Sequence, residues 1–294
     1  MKFAAIDIGS NAVRLLIEEA VPGKKSFEIH KISLNRVPIR LGEDVFTKGK
    51  ISEKKKVQLV KAMKAFWYLM DVHDIENYRA CATSAMREAS NGEQIIKYIL
   101  KKANIRIDTI DGDQEADIIF SNFKRQHIDL TGNYLYIDVG GGSTEVTLIK
   151  HGERVTSKSF RIGTVRMLKE KVSKKHWVAA RHWIQELASK EDHLIGIGTG
   201  GNINRIFKEA GKKSYERITS EEIEHVYEFI GSFSFRDRIT KLGLKPDRAD
   251  VILPAAEIYY NFMRFADVEE LIVPRIGLAD GMILGMVEDW MSSR

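Results

Sequence analysis

Leu135-Tyr-Ile-Asp-Val-Gly-Gly-Gly-Ser-Thr-Glu-Val-Thr147 runs from an apolar segment ending in Asp138, through Gly140, Gly141 and Gly142, into a second β-rich segment from Val146. Strand, glycine turn, strand is the pattern of a hairpin. A glycine tract in the turn presents backbone N–H groups with no Cβ in the way, so an anion can approach closely. Carboxylates beside a phosphate cradle make chemical sense when a cation stands between them and the phosphate, typically Mg²⁺ with its oxygen ligands.

Phe3-Ala-Ala-Ile-Asp-Ile-Gly-Ser-Asn-Ala-Val-Arg-Leu-Leu16 repeats the design: a short apolar run ends in Asp7, Gly9, Ser10 and Asn11 follow, and apolar residues resume. The repeat predicts two related half-molecules, each offering a phosphate-gripping hairpin to a shared cleft. The simpler alternative is two ordinary hairpins in which Asp and Gly only form turns.

Composition narrows the class. The chain has 294 residues, enough for one large or two medium domains. Its 44% hydrophobic and 30% charged content is that of a globular protein. Nothing approaches the ~20 apolar residues of a membrane span, and the N-terminus starts on a strand pattern without a signal peptide. The single cysteine, Cys81, excludes an internal disulfide and a cysteine metal cluster, which makes the cytoplasm the expected compartment. Cys81 lies in an apolar run and reads as a buried small hydrophobe. A net charge of +5 is compatible with a polyanion drawn to a positive cleft. No Lys/Arg tract, zinc spacing or aromatic-glycine motif points to nucleic acid.

Along the chain, residues 3–8 and 12–19 read as the first hairpin and 27–34 as a third strand, with a loop over 36–42 that carries Arg40. A helix is predicted over 51–71, capped by Ser52, with Val57, Val60, Met63, Phe66, Trp67 and Met70 inward. Strands follow at 78–83 and 105–110 around a helix at 93–103, and Asp111 with Gln114 forms a capping-box pattern opening another helix. Beyond the glycine hairpin come a strand at 156–162 and a helix at 175–189 with Trp177, Trp183, Ile184 and Leu187 inward. A strand at 193–198 precedes helices at 203–210, 219–230 and, as one long element, 249–265. A strand at 270–273 and a last helix at 278–290 complete a mixed α/β pattern. The repeat sets domains at 1–125 and 126–276, with the final helix, about 277–294, packing back on the first.

These segments resemble the exopolyphosphatase / guanosine-pentaphosphate phosphatase (Ppx/GppA) family of the actin, Hsp70 and sugar-kinase superfamily. The matching motifs, in family order, are Asp7-Ile-Gly-Ser-Asn-Ala-Val-Arg-Leu, Ala82-Thr-Ser-Ala-Met-Arg-Glu-Ala-Ser-Asn-Gly, Ile110-Asp-Gly-Asp-Gln-Glu-Ala, Asp138-Val-Gly-Gly-Gly-Ser-Thr-Glu, Gly163-Thr-Val-Arg, Gly198-Thr-Gly-Gly-Asn and Arg248-Ala-Asp-Val-Ile. The resemblance implies an α/β fold of two ribonuclease-H-like domains around a central cleft, Mg²⁺ dependence, and hydrolysis of a terminal phosphoanhydride. Longer members carry further domains after this core, so the chain looks like the short form. The chain departs from the family pattern at Ala12 (usually Ser or Thr), Asp111 (usually Ser) and Asn202 (usually Thr).

The resemblance makes Glu115 the general base, in the first turn of a helix where the dipole favours its ionised form. It makes Asp138 and Glu145 the Mg²⁺ anchors, with Asp7 acting through water, and Gly9, Ser10, Asn11, Gly141, Gly142, Ser143 and Thr144 the donors to phosphate oxygens. Arg87 would clamp the phosphate chain with its planar fork; Arg14, Arg40 and Arg166 are weaker candidates, each equally readable as a solvated arginine. Gly196-Ile-Gly-Thr-Gly-Gly satisfies the dinucleotide fingerprint, but Glu216 some twenty residues on ends no apolar strand, so the βαβ context fails. The expected substrate is inorganic polyphosphate, or alternatively a phosphorylated guanosine nucleotide or nucleoside triphosphate. A nucleotide-binding regulator without turnover and a sugar kinase are the competing classes. A homodimer stays open; nucleic-acid and membrane partners are not expected.

Overall fold

The computed structural model describes residues 1–23, 27–123, 131–213 and 216–293. Met1–Arg125 with Ile276–Arg294 form one compact unit and Gln126–Arg275 a second. In the first, β1 (Lys2–Ile8), β2 (Val13–Pro22) and β3 (Phe27–Val37) precede α1 (Leu41–Lys48), α2 (Glu53–Val72), β4 (Asn77–Ala82), α3 (Ser84–Glu88), α4 (Gly92–Ala103), β5 (Asp108–Thr109) and α5 (Gly112–Ser121). The second holds β6 (Asn133–Val139), β7 (Thr144–Lys150), β8 (Glu153–Phe160), α6 (Thr164–Leu168), α7 (Lys174–Ala188), β9 (Ile195–Thr199), α8 (Gly201–Glu209), β10 (Arg217–Thr219), α9 (Ser220–Gly231), α10 (Phe235–Thr240), α11 (Pro246–Ala249), α12 (Ile252–Phe265) and β11 (Glu270–Ile272). α13 (Leu278–Ser292) belongs to the first unit.

The two sheets are variations on one topology. The first is ordered β3-β2-β1-β4-β5, antiparallel from β3 to β1 and parallel from β1 to β5. The second runs β8-β7-β6-β9-β11 in the same senses and adds β10 antiparallel at its edge. This is the ribonuclease-H-like order twice over, and no helix among the described residues is long and apolar enough to cross a membrane. β1 is buried at every position from Phe3 to Ile8, as expected of a strand covered on both faces. The second core gathers Leu135, Ile137, Val146, Ile203, Ile258 and Phe262.

Several elements differ from the sequence reading, each for a physical reason. The 36–42 loop is shorter than expected, because β3 runs to Val37 and α1 starts at Leu41. α1 has no side-chain cap: Arg40 sits at its N-cap in the left-handed conformation (φ 57°), so the usual helix-start signal is missing. In α2, Ser52 does cap the helix, but Val57 is 49% exposed and Leu59 and Ala62 join Met63, Phe66 and Met70 in the buried stripe. Only Asp108 and Thr109 of the 105–110 segment pair as a strand, while Ile105, Ile107 and Ile110 are buried without it. The helix expected over 249–265 begins only at Ile252, as α12, after a separate short helix, α11, that ends at Ala249. Pro254 explains the break: it is tolerated in the first turn of α12, where a continuous helix would set its ring against the carbonyl of residue 250. In α7, Ala180 and Ile184 are fully buried and both tryptophans only partly so.

α13 lies on β1 and α5. Trp290 meets Phe3 edge-to-face with ring centroids 6.0 Å apart. A Cβ at Gly281 would stand 2.0 Å from the Ile118 carbonyl oxygen, so the α13 and α5 backbones nearly touch there.

Candidate active site

In the first unit the β1–β2 turn is held on three sides. The Gly9 amide donates to Ala12 O at 3.1 Å and closes the turn. From the start of α1, the Arg40 amide donates to Asn11 O (2.9 Å) and the Gly42 amide to Ser10 O (2.8 Å). The Ser10 hydroxyl shares a 2.9 Å hydrogen bond with that of Ser84, the first residue of α3. Asp7 is buried and stands opposite Arg14 in the ladder, and the Arg14 guanidinium donates to its carboxylate. Arg40 instead pairs with Glu43 at 2.9 Å.

Arg87, three residues after Ser84 on α3, donates through Nη1 to Ile110 O at 2.5 Å. Ile110 precedes the α5 cap, where Asp111 and Gln114 exchange hydrogen bonds of 2.8 and 3.0 Å. Asp accepts at an N-cap as Ser does, so the Asp111 departure keeps the helix start intact. Glu115 is half-buried in the first turn of α5, its amide bonded to Asp111 O at 3.0 Å. Arg87 and Glu115 therefore flank one rigid junction. Burial pushes the nearby Cys81 thiol up to about 11, which keeps it an inert core group.

In the second unit, Thr199, Asp138, Glu145 and Ser159 stand in one row across β9, β6, β7 and β8. Residues directly opposite in a ladder share a face, so the Asp138 and Glu145 carboxylates are neighbours where the first hairpin pairs Asp7 with Arg14. Glu145 is 2% exposed, and its Oε1 accepts from Ser143 Oγ (2.7 Å) and Ser159 Oγ (2.9 Å). Two neighbouring carboxylates are the donor set a hard cation takes, and Mg²⁺ uses one or two of them while keeping waters. Among the described residues no group of three or more His, Cys, Asp and Glu forms a cage.

The glycine turn itself is folded onto α6. Thr164 N donates to Gly140 O, and Val165 N and Arg166 N to Gly141 O, at 2.9 to 3.1 Å. Arg166 is buried and donates through Nε to Gly142 O at 2.7 Å, so this arginine shapes the loop from beneath. The Thr144 hydroxyl is spent on Ile162 O at 2.6 Å, which also makes it a fastener of the loop. Among the described residues the amides of Gly141, Gly142 and Ser143 donate to no protein acceptor. Such neighbouring N–H groups form an anion-binding concavity.

Gly163 makes this seating possible. A Cβ there would lie 2.5 Å from the Gly142 carbonyl carbon and 2.6 Å from the Ser143 nitrogen. Gly163→Ala must push the turn off α6, and for the phosphate-chain substrate that the sequence leads one to expect, KM should rise about tenfold, some 1.4 kcal/mol of binding. Steady-state kinetics with an unchanged circular dichroism spectrum checks this, and an unchanged KM would refute it.

Beside Asp138 lies the β9–α8 turn. Gly200 adopts φ +105°, and a Cβ on it would come within 3.2 Å of Asp138 Oδ1. Arg248 donates to Gly201 O at 2.6 Å and covers the same turn. Gly196 and Gly198, which satisfy the dinucleotide fingerprint, answer instead to packing: a Cβ on either would be 2.6 Å from a Leu271 methyl carbon. Tyr259 is fully buried below, and burial with the nearby Asp138 and Glu145 charges holds its phenol well above the usual range, so it stays a donor. Tyr259, Ser159 and Arg248 went without a role in the sequence reading. Tyr259 and Ser159 sit in an ordinary apolar helix and an ordinary polar strand, so spacing carries no signal for them; only the motif containing Arg248 stood out.

Comparison with known proteins gives the family and the fold. The Ppx/GppA phosphatase family model matches residues 16–289. The bifunctional 3-dehydroquinate synthase/phosphatase of Fusobacterium nucleatum is 30% identical over 97% of this chain; the chain spans about half of that relative, 46% of its length. Exopolyphosphatase 1 of Mycobacterium bovis is 24% identical over 97% of this chain and 88% of its own. A crystal structure of an exopolyphosphatase from Cytophaga hutchinsonii superposes with a TM-score of 0.86 at 22% identity, covering 98% of both chains, which establishes the fold.

Proposed function

The chain belongs to the Ppx/GppA phosphatase family, and on that premise we propose that it is an Mg²⁺-dependent exopolyphosphatase that releases the terminal phosphate of inorganic polyphosphate. The observation that carries the reading is the opposed Asp138–Glu145 pair at the ends of the strands that flank a glycine turn whose Gly141, Gly142 and Ser143 amides donate to no acceptor among the described residues. A neutral ligand uses neither feature; a metal-bound phosphate chain uses both.

In the reaction a water oxygen attacks the terminal phosphorus, the bridging P–O bond breaks, and orthophosphate leaves a chain one unit shorter. There is little covalent work for the protein, so catalysis is positioning and charge neutralisation. Glu115 accepts the proton of the attacking water, as an ionised carboxylate at a helix N-terminus can. The amides of Gly141, Gly142 and Ser143 bind phosphate oxygens, and in the first unit Ser10 and Asn11 do so while the Gly9 amide, taken by Ala12 O, shapes the turn; Arg87 neutralises chain charge from its anchorage on Ile110. Asp138 and, beside it, Glu145 would hold the Mg²⁺, which would supply positive charge against the phosphates. Asp7, already engaged by Arg14, orients that arginine and would act on the ion through water.

The test is phosphate release from medium-length polyphosphate, with and without Mg²⁺, alongside guanosine pentaphosphate and ATP. We expect Mg²⁺-dependent release that is fastest with polyphosphate. Faster release from guanosine pentaphosphate would move the assignment to the other activity in the family's name. No release from any substrate would make the chain a binding regulator.

A further inference from the structure

Tyr259 has a part in this site that its sequence context conceals. It lies on α12 with no exposed surface, and its hydroxyl donates to Thr199 O at 2.7 Å and lies 3.4 Å from Ile137 O. Ile137 immediately precedes Asp138, and Thr199 is both the ladder partner of Asp138 and the residue before Gly200. One phenol therefore bridges the ends of β6 and β9, reaching Ile137 O and Thr199 O in adjacent rows beside Asp138. Thr199 is gripped a second time, its hydroxyl sharing a 2.8 Å hydrogen bond with Tyr136.

We infer that Tyr259 is a positioning residue that sets the direction of the Asp138 carboxylate by fixing the β9–α8 turn against it. The link is steric. Gly200 takes φ +105°, a conformation L side chains rarely adopt, and the Asp138 Oδ1 oxygen packs where its Cβ would be, 3.2 Å away. The turn is thus one wall of the carboxylate's rotamer well. Its place is fixed by the Thr199 carbonyl, which the Tyr259 hydroxyl holds. Phenylalanine would keep the ring packing and leave that carbonyl buried without its donor, so the turn relaxes and the carboxylate loses a wall. Outer groups that orient metal-binding carboxylates typically change metal affinity by ~10–100-fold when removed. The inference rests on Asp138 being a metal ligand, as proposed above.

Mn²⁺ titrated into the full chain and followed by electron paramagnetic resonance reads this without turnover. We expect Tyr259→Phe to raise the Mn²⁺ dissociation constant roughly tenfold, the low end of that range because the effect passes through a turn. At saturating metal, KM for polyphosphate stays within about twofold of wild type. Gly200→Ala, which crowds the same carboxylate from the turn, moves affinity in the same direction and serves if Tyr259→Phe folds poorly. Wild-type Mn²⁺ affinity in both variants overturns the inference even if their melting temperatures fall, because that is the signature of a purely structural tyrosine. A wild-type chain that binds no Mn²⁺ overturns it too. A wild-type chain that binds Mn²⁺ but hydrolyses no substrate defeats the proposed activity and leaves the role of Tyr259 intact.

Discussion

Glu115→Gln is expected to lower kcat for phosphate release from polyphosphate by roughly 10²–10⁴-fold, the range a general base contributes. The substitution keeps the side chain's size and the helix, and removes only the charge that accepts a proton. The α5 capping box does not involve Glu115, so the helix start survives, and KM and the unfolding transition stay near wild type. A large kcat effect without a stability effect separates a base from an ordinary helix-start glutamate. Undiminished release would remove Glu115 from the mechanism, and a general fall in stability would reassign it to the fold.

Gly281→Ala should give the largest stability effect. The new Cβ would overlap the Ile118 carbonyl oxygen at 2.0 Å and press on its carbon at 2.8 Å, and both belong to helix backbones that cannot yield like a flexible side chain. Forced overpacking costs about 1–3 kcal/mol, and we expect the upper end, about 3 kcal/mol, or a melting temperature lower by roughly 6–12 °C. Ile118 lies one turn beyond Glu115 on α5, so helix separation also displaces the proposed base, and kcat should fall with stability. Gly285, one turn further along α13, has nothing within 4 Å of a Cβ and supplies the control. Gly285→Ala should be neutral or stabilising by up to ~1 kcal/mol. Calorimetry on both variants decides the matter, and equal melting temperatures would show that the α13–α5 contact does not carry the first unit.

The sequence by itself determined what local rules govern. Two strand–glycine–strand segments ending in Asp7 and Asp138 announced two hairpins, because apolar alternation and glycine turns act over a few residues. Ser52 and Asp111 with Gln114 marked helix starts for the same reason, since a cap bonds only three residues along. Where the local signal was absent or doubled, as at the uncapped α1 or at Pro254 inside an apolar run, the reading failed.

What only the tertiary structure decided is how chemically similar residues divide their work, since a side chain's role depends on neighbours far away in the chain. Arg14, Arg40 and Arg166 read alike in sequence, yet one engages Asp7, one pairs with Glu43 and one is buried beneath Gly142. Gly163 read only as part of a short motif and Gly281 carried no reading, yet both are points where two backbones meet. Tyr259, 121 positions from Asp138 in the numbering, reached the site because α12 packs its hydroxyl under the strand ends that carry that aspartate. Contacts of that separation are set by packing of the whole core, which no window along the chain contains.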